Sequence, residues 1–308
     1  MAAPTNTQLT TATVGNREDL ANVIYQISPT ETPFFSMARK GKATATLHEW
    51  QTDSLATAAN NEQAEGDDAV ATAPVPTVRL GNRTQIASKT AAVSGSQEAV
   101  DSAGRKSEMG YQVAKRGLEL RRDMEFGLCQ NAVSATAPRR ARGLVGWMDA
   151  ANVNAGAGYV APNYITNVAQ TDGTQRTFVE SQLKDVCQKI FTSGGNPNVV
   201  MMGAAQKQTF STFTGNSTRM DESEDKKVTA AVEYYVSDFG TLHGIPNRFQ
   251  RTRDVFVLES GRWEVSFLRP LRSWDLAKTG DTDRKQLLAE YTLQCDNPLA
   301  NGGVLDVL

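Results

Sequence analysis

The sequence predicts a mixed α+β fold, and three observations carry the prediction. Residues 107–134 hold a helical stripe long enough to act as a strut. Residues 176–260 run helix, strand, helix, strand, the order of a compact unit with its strands central. Two alternating stretches, 42–53 and 77–94, flank "LATAANNEQAEGDDAVATAPVP" at 55–76, a segment that can nucleate no core. It has no aromatic residue, no Lys and no Arg, and it carries Glu62, Glu65, Asp67 and Asp68.

Composition bounds the rest. The chain has 308 residues, 40% of them hydrophobic, enough for one elaborate domain or two to three smaller ones. A net charge of −2 gives no global basic signal, so phosphate-driven binding by the whole surface is not expected. Cys129, Cys187 and Cys295 are odd in number and far apart; they read as reduced thiols of a cytosolic protein without metal-ligand spacing. The start, "MAAPTNTQLTTATVGN", has neither a basic nor an apolar run, so no signal peptide is expected. No stretch approaches ~18 apolar residues, so no membrane span is expected.

Residues 1–16 form a low-complexity Thr, Ala and Asn arm, ordered only against a partner. Asn16 caps a short helix through Ile27, with Leu20, Val23, Ile24 and Ile27 on one face. Pro29 ends it, and Pro33, Phe34 and Phe35 form an extended, sticky segment. "KATATLHEWQTD" then alternates, with Thr46, His48, Trp50 and Thr52 on one side. Its partner is "TVRLGNRTQIASKTAAVS", with Val78, Leu80 and Ile86 at even spacing. Hairpin loops usually have about two to five residues, so 55–76 is far too long for a tight turn. Arms of about ten residues would project it roughly 33 Å from the body.

The stripe of 107–134 contains Met109, Val113, Gly117, Leu120, Met124 and Leu128 at steps of three and four, capped by Ser107. At 1.5 Å per residue such a helix is ~42 Å long. Arg139, Arg140 and Arg142 make a short basic cluster in the loop that follows. It reads either as a solvated turn or as a contact for phosphate or a neighbour's carboxylates. Thr177 and Glu180 form a capping box for a second helix with Val179, Leu183, Val186 and Ile190 on one face; Gly194 and Gly195 stop it. "NVVMMG" reads as a buried strand, "AAQKQTFSTF" as a helix, and "VTAAVEYYVSDFGTLHGIPNR" and "DVFVLES" as further strands. Two strand-like arms around "AKTGDTD" close the chain.

Chemical constellations are scarce. His48 sits in a strand and His243 in a turn, and both read as structural. "AAVSGSQ" is not a nucleophile elbow, and the Gly-bearing turns lack phosphate-loop endings. "DESEDKK" at 221–227 lacks the spacing and turn Gly of a calcium loop. No catalytic residue, cofactor or metal is expected.

Taken together, "SPTETPFFSMARKGKATATLHEWQTDSL" (28–55), "NVVMMGAAQKQTFSTF" (198–213) and "RPLRSWDLAKTGDTDRKQLLAEYTLQCDNPLANG" (269–302) resemble tailed-phage major capsid proteins of the Hong Kong 97-type fold. The branch is that of phage SU-ten, and the order of elements agrees over nearly the full chain. The resemblance implies an N-terminal arm (1–41), an extended β-hairpin loop (42–94), and a peripheral domain (95–175) with spine helix 107–134. It further implies an axial α/β domain (176–260) and return strands of the peripheral domain (261–308). It implies self-assembly into hexamers and pentamers of an icosahedral shell around double-stranded DNA, built in the host cytoplasm with a separate scaffold protein and a portal, without a membrane. On that reading Glu62, Glu65, Asp67, Asp68 and Trp50 make inter-subunit contacts. Arg139, Arg140 and Arg142 are candidate neighbour or DNA contacts, and Val113, Leu120, Met124 and Leu128 are spine-helix core. No Lys lies between Lys42 and Lys89, so the Lys–Asn cross-links of some family members are not expected. Rival readings are an encapsulin-like cargo shell, a hydrolase with a dispersed site, and a tail or adhesion module.

Overall fold

The computed structural model describes residues 28–68, 71, 73–100, 104–213 and 234–308. The expected helix through Ile27 and the run 221–227 lie outside these residues. In chain order the elements are α1 (Pro33–Met37), β1 (Arg39–Lys42), β2 (Leu47–Thr52), β3 (Val78–Arg83), β4 (Gln85–Ser94), α2 (Gly95–Ala99) and α3 (Glu108–Gln130). A small pair, β5 (Ala135–Thr136) and β6 (Arg139–Arg140), precedes β7 (Val153–Asn154), α4 (Glu180–Thr192), β8 (Val199–Met202) and α5 (Ala204–Phe210). Then come β9 (Tyr234–Ser237), β10 (Gly240–Pro246), β11 (Asp254–Leu258), β12 (Trp263–Asp275), β13 (Thr282–Cys295) and β14 (Gly302–Leu305).

Two sheets organise the molecule. One has the order β7-β14-β11-β8-β10-β9, the other β1-β12-β13-β4. In the six-stranded sheet, β8 and β11 are buried along their whole length, as central strands covered on both faces must be. Val200, Met202, Val255 and Val257 face α4 and α5, packing with Leu183, Val186, Ile190 and Phe210. The alternate residues Met201, Phe256 and Leu258 join Trp263, Val265, Tyr291 and Leu293 of the four-stranded sheet in one core with Met124 and Leu128 of α3. Because side chains alternate along a strand, β8 and β11 tie both halves of the molecule together.

The long helix has the expected stripe and cap: the Ser107 hydroxyl accepts the Gly110 N–H, and Leu120, Met124 and Leu128 are buried. Val113 is half-buried against Ala91, Val93 and Met109. The helix stops at Gln130, short of the expected 134. Asn131 turns extended there, its amide held by Gln85 and by the Ala141 carbonyl. At 23 residues it is roughly 35 Å long rather than 42.

Other expectations also change. Pro33–Met37 is a helix, not an extended segment, because the buried Glu125 carboxylate accepts the Phe34 and Phe35 N–H groups at 2.8 and 2.7 Å, satisfying donors that a helix start leaves open. The capping box is absent: α4 begins at Glu180 behind Val179, which is exposed, and Gln182 reaches back to the Val179 N–H and the Thr177 carbonyl. His243 lies in β10, stacked on Tyr234, not in a turn. The chain end does not all return to the four-stranded sheet, since β14 pairs with β11 and β7 in the other one.

Candidate assembly interface

The hairpin separates sharply into a root and a tip. At the root β2 pairs antiparallel with β3, from Leu47 opposite Arg83 to Thr52 opposite Val78. Each arm is six residues long, about 20 Å, so the paired stalk is shorter than arms of ten residues would make it. The expected alternation of β2 holds: His48, Trp50 and Thr52 face inward and Leu47, Glu49 and Gln51 outward. On the partner strand, Leu80, Asn82 and Thr84 face inward, but the phase breaks between Thr84 and Gln85. Ile86 is therefore exposed, against expectation. From Gln85 onward the strand leaves the hairpin and pairs with β13.

Buried polar bonds fasten the root to its own subunit. The Asn82 side-chain amide donates to the carbonyls of Arg142 and Leu293 at 2.9 and 2.7 Å, and its oxygen accepts the Arg142 N–H at 2.8 Å. Glu290 accepts the Thr84 hydroxyl at 2.8 Å and pairs with Arg139 and Arg269 at 2.7 and 2.8 Å. Burial alone would raise the Glu290 pKa; the Thr84 hydroxyl and the two guanidiniums outweigh it and hold the carboxyl below its usual range. Trp50 donates its indole N–H to the Cys295 carbonyl at 3.0 Å and lies 5.4 Å from Trp147. His48 meets Gln294 at 2.7 Å. Trp50, expected at a neighbour, thus packs on its own subunit.

The tip has nothing comparable. Its described residues from Asp53 to Pro76 are exposed, Leu55 at 98%. Its hydrogen bonds are local, such as the turn from Asp67 N–H to Ala64 O across Gly66 at φ 84°. Among the described residues Glu62, Glu65, Asp67 and Asp68 pair with no cation.

The three arginines do not form one surface. Arg142 is buried; its guanidinium donates to Tyr164 O and Asn167 Oδ1 and stacks 4.7 Å from Trp147. Burial pushes its pKa down to about 10. Arg139 is engaged by Glu290, which leaves Arg140 exposed. Both Arg139 and Arg142 are internal ties, a correction to their reading as a contact patch.

Two acidic positions escaped the sequence reading. Glu125, one residue from Met124 on the helix stripe, holds α1 and also accepts Asn247 at 2.7 Å. Burial raises its pKa. Asp254 at the start of β11 is buried beside Arg251, Arg253, Asp172, Asp306 and Tyr159, and burial pushes its pKa up to about 7. A charge flanking an apolar stripe was the only available hint of Glu125; for Asp254 there was none.

This architecture recurs in solved structures. The chain is similar to the capsid of a native GTA particle (TM-score 0.67, 9% identity, covering 97% of this chain and 98% of the other). It is similar to a subunit of the cyanophage A-1(L) capsid (TM-score 0.64, 11% identity, 97% and 98%). A chain of Mycobacterium phage Bobi aligns with TM-score 0.62, 10% identity and coverage of 94% and 95%. The fold is therefore the Hong Kong 97-type capsid fold. A model of the SU10 major capsid protein family matches residues 4–307. A major capsid protein of Escherichia phage Phieco32 is 27% identical over 94% of this chain and 93% of its own length. The chain belongs to the SU10 major capsid protein family: it is a structural component of a phage virion that associates with its own copies to form the capsid.

Proposed function

We propose that the subunit tiles an icosahedral head as hexamers and pentamers around double-stranded DNA, with the tip of its hairpin lying on a neighbouring subunit. The observation that carries this is the contrast within one hairpin: a root fixed by buried bonds and a tip whose four carboxylates find no cation. Like charges so close repel in the isolated subunit and gain by meeting a basic surface on another. Residues 1–41 serve as the arm, 42–94 as the extended loop, α3 as the spine, and the six-stranded sheet as the axial unit. Many modest contacts per subunit sum to a stable closed shell. The role is structural rather than catalytic. A separate scaffold and a portal guide assembly, and DNA is contacted without sequence preference, consistent with the net charge of −2.

The test is electron microscopy of the chain expressed alone and with its phage's scaffold, together with the nucleic-acid content of phage heads. Closed shells with five- and six-fold capsomers are expected, with DNA in mature heads. A subunit that stays monomeric in every condition contradicts the reading.

A further inference from the structure

The four-stranded sheet has two faces of different fate. On one face Ala91, Val93, Leu287 and Ala289 are buried beneath α3. The opposite face is set by the register: Glu290 sits across from Ile86, Leu288 from Ser88 and Arg272, Gln286 from Thr90 and Trp274, and Arg284 from Ala92. Its proximal half is covered by the root of the hairpin, through Thr84 on Glu290, Arg83 O on Thr292 and His48 on Gln294. Its distal half is bare. Ile86 and Trp274 are 44% and 42% exposed there, and Leu276 at the strand end is 38% exposed. Arg272 and Arg284 are exposed on the same face and have no acidic partner among the described residues. The nearby acids are already engaged, Asp275 by Lys285 and Asp283 by Lys278.

We propose that this open half of the sheet, centred on Arg272, Trp274 and Arg284, receives the acidic hairpin tip of a second copy of the chain. The proposal rests on the reading that the tip lies on a neighbour, and names the surface it meets. Three observations converge. The charges are complementary: two unpaired guanidiniums face an occupant with four unpaired carboxylates and no cation. The apolar character is complementary too, since Leu55 and Val75 bracket the carboxylates and are 98% and 75% exposed. Finally, the surface continues one already built for this element. The root of a hairpin occupies the proximal half of the face, so a second hairpin laid on the distal half extends the same layer. Aromatic and Arg side chains at the centre of a patch are the usual anchors of an interface, and opposite charges across it set register and encounter rate.

The test is a charge exchange read by subunit melting and by electron microscopy of shells assembled with the scaffold. Two sets are made: Arg272→Glu with Arg284→Glu, and Glu62→Lys, Glu65→Lys, Asp67→Lys with Asp68→Lys. Each alone is expected to melt like the parent, because every altered side chain is exposed. Each alone is expected to lower shell yield by at least about tenfold at low salt, where screening is weak. The combined variant is expected to recover most of that yield. If the tip reversal destroys shells and the combination restores nothing, the tip meets another surface; this inference is overturned while the proposed function stands. If the tip reversal alone leaves shells intact, the tip does not dock by charge and the proposed function fails with it. Should the Arg272→Glu, Arg284→Glu subunit melt low, Arg272→Gln with Arg284→Gln replaces it. An unchanged shell yield and salt dependence for that pair likewise overturns the assignment.

Discussion

The root and the tip of the hairpin are consecutive stretches of one strand pair, yet opposite rules govern them. At the root, polar groups are buried and almost every one has a partner 130 or more positions away or across a sheet: Asn82 with Leu293, Thr84 with Glu290, Trp50 with Cys295. At the tip, polar groups are exposed and bond only within a few residues. The root is therefore a part of the subunit's fold, and the tip is a part of the shell. Self-association needs both, because a tip can reach a neighbour in a defined direction only if its base cannot swing.

Breaking the platform beneath the root should cost most. Leu120→Asp places an unpaired carboxylate at a site 1% exposed, at a cost of several kcal/mol, roughly 4 or more. Soluble yield and the thermal melt measure it, and normally assembled Leu120→Asp shells would show the burial to be misplaced. Asn82→Ala comes next. It strands the Arg142 N–H and the carbonyls of Arg142 and Leu293, and a loss of about 2–4 kcal/mol is expected in a denaturant melt. A loss within error would mean that water replaces the amide and the root is not anchored there.

Asp254, remote from the hairpin, supplies a control on the subunit alone. Its folded pKa of about 7 lies above the carboxylate's model value of 3.8. The folded chain therefore holds a proton that the unfolded chain releases. The stabilisation is complete below about pH 4 and is lost as pH rises through 7, with a slope of at most ~1.4 kcal/mol per pH unit from this group. Asp172, facing the same cluster, is held below its usual range and contributes the opposite slope only at acid pH. Asp254→Asn should flatten the fall in melting temperature between pH 5 and 8, with or without the tip. An unaltered slope would assign the pH dependence elsewhere.

Local rules were legible in the sequence, and long-range ones were not. The stripe Leu120, Met124, Leu128 and the Ser107 cap follow from periodicity and from one hydroxyl. The coreless character of 55–76 follows from composition. The end of the helix at Gln130 was hidden, because Asn131 is pulled away by Gln85 and Ala141 while the apolar pattern runs on through Val133. The same holds for the phase break at Thr84, fixed by Glu290, and for the helix at Pro33, capped by a carboxylate some 90 residues away. Arg142 looked like its neighbours Arg139 and Arg140, and only the Tyr164 carbonyl and Asn167 distinguish it. The family resemblance supplied the assembly that no local pattern contains.

The difference between root and tip is tested most directly by deleting residues 58–73 and comparing the subunit's thermal melt with the integrity of its shells. The deleted segment holds no large apolar side chain except Val70 and no ion pair among its described residues, and shortening a loop changes closure entropy by well under ~1 kcal/mol. The melt should therefore match the parent while shells are absent or fall apart, most readily on dilution. A normal melt accompanied by fully stable, DNA-filled shells would contradict the account, and would make the tip a dispensable insert on a hairpin whose only work is done at its root.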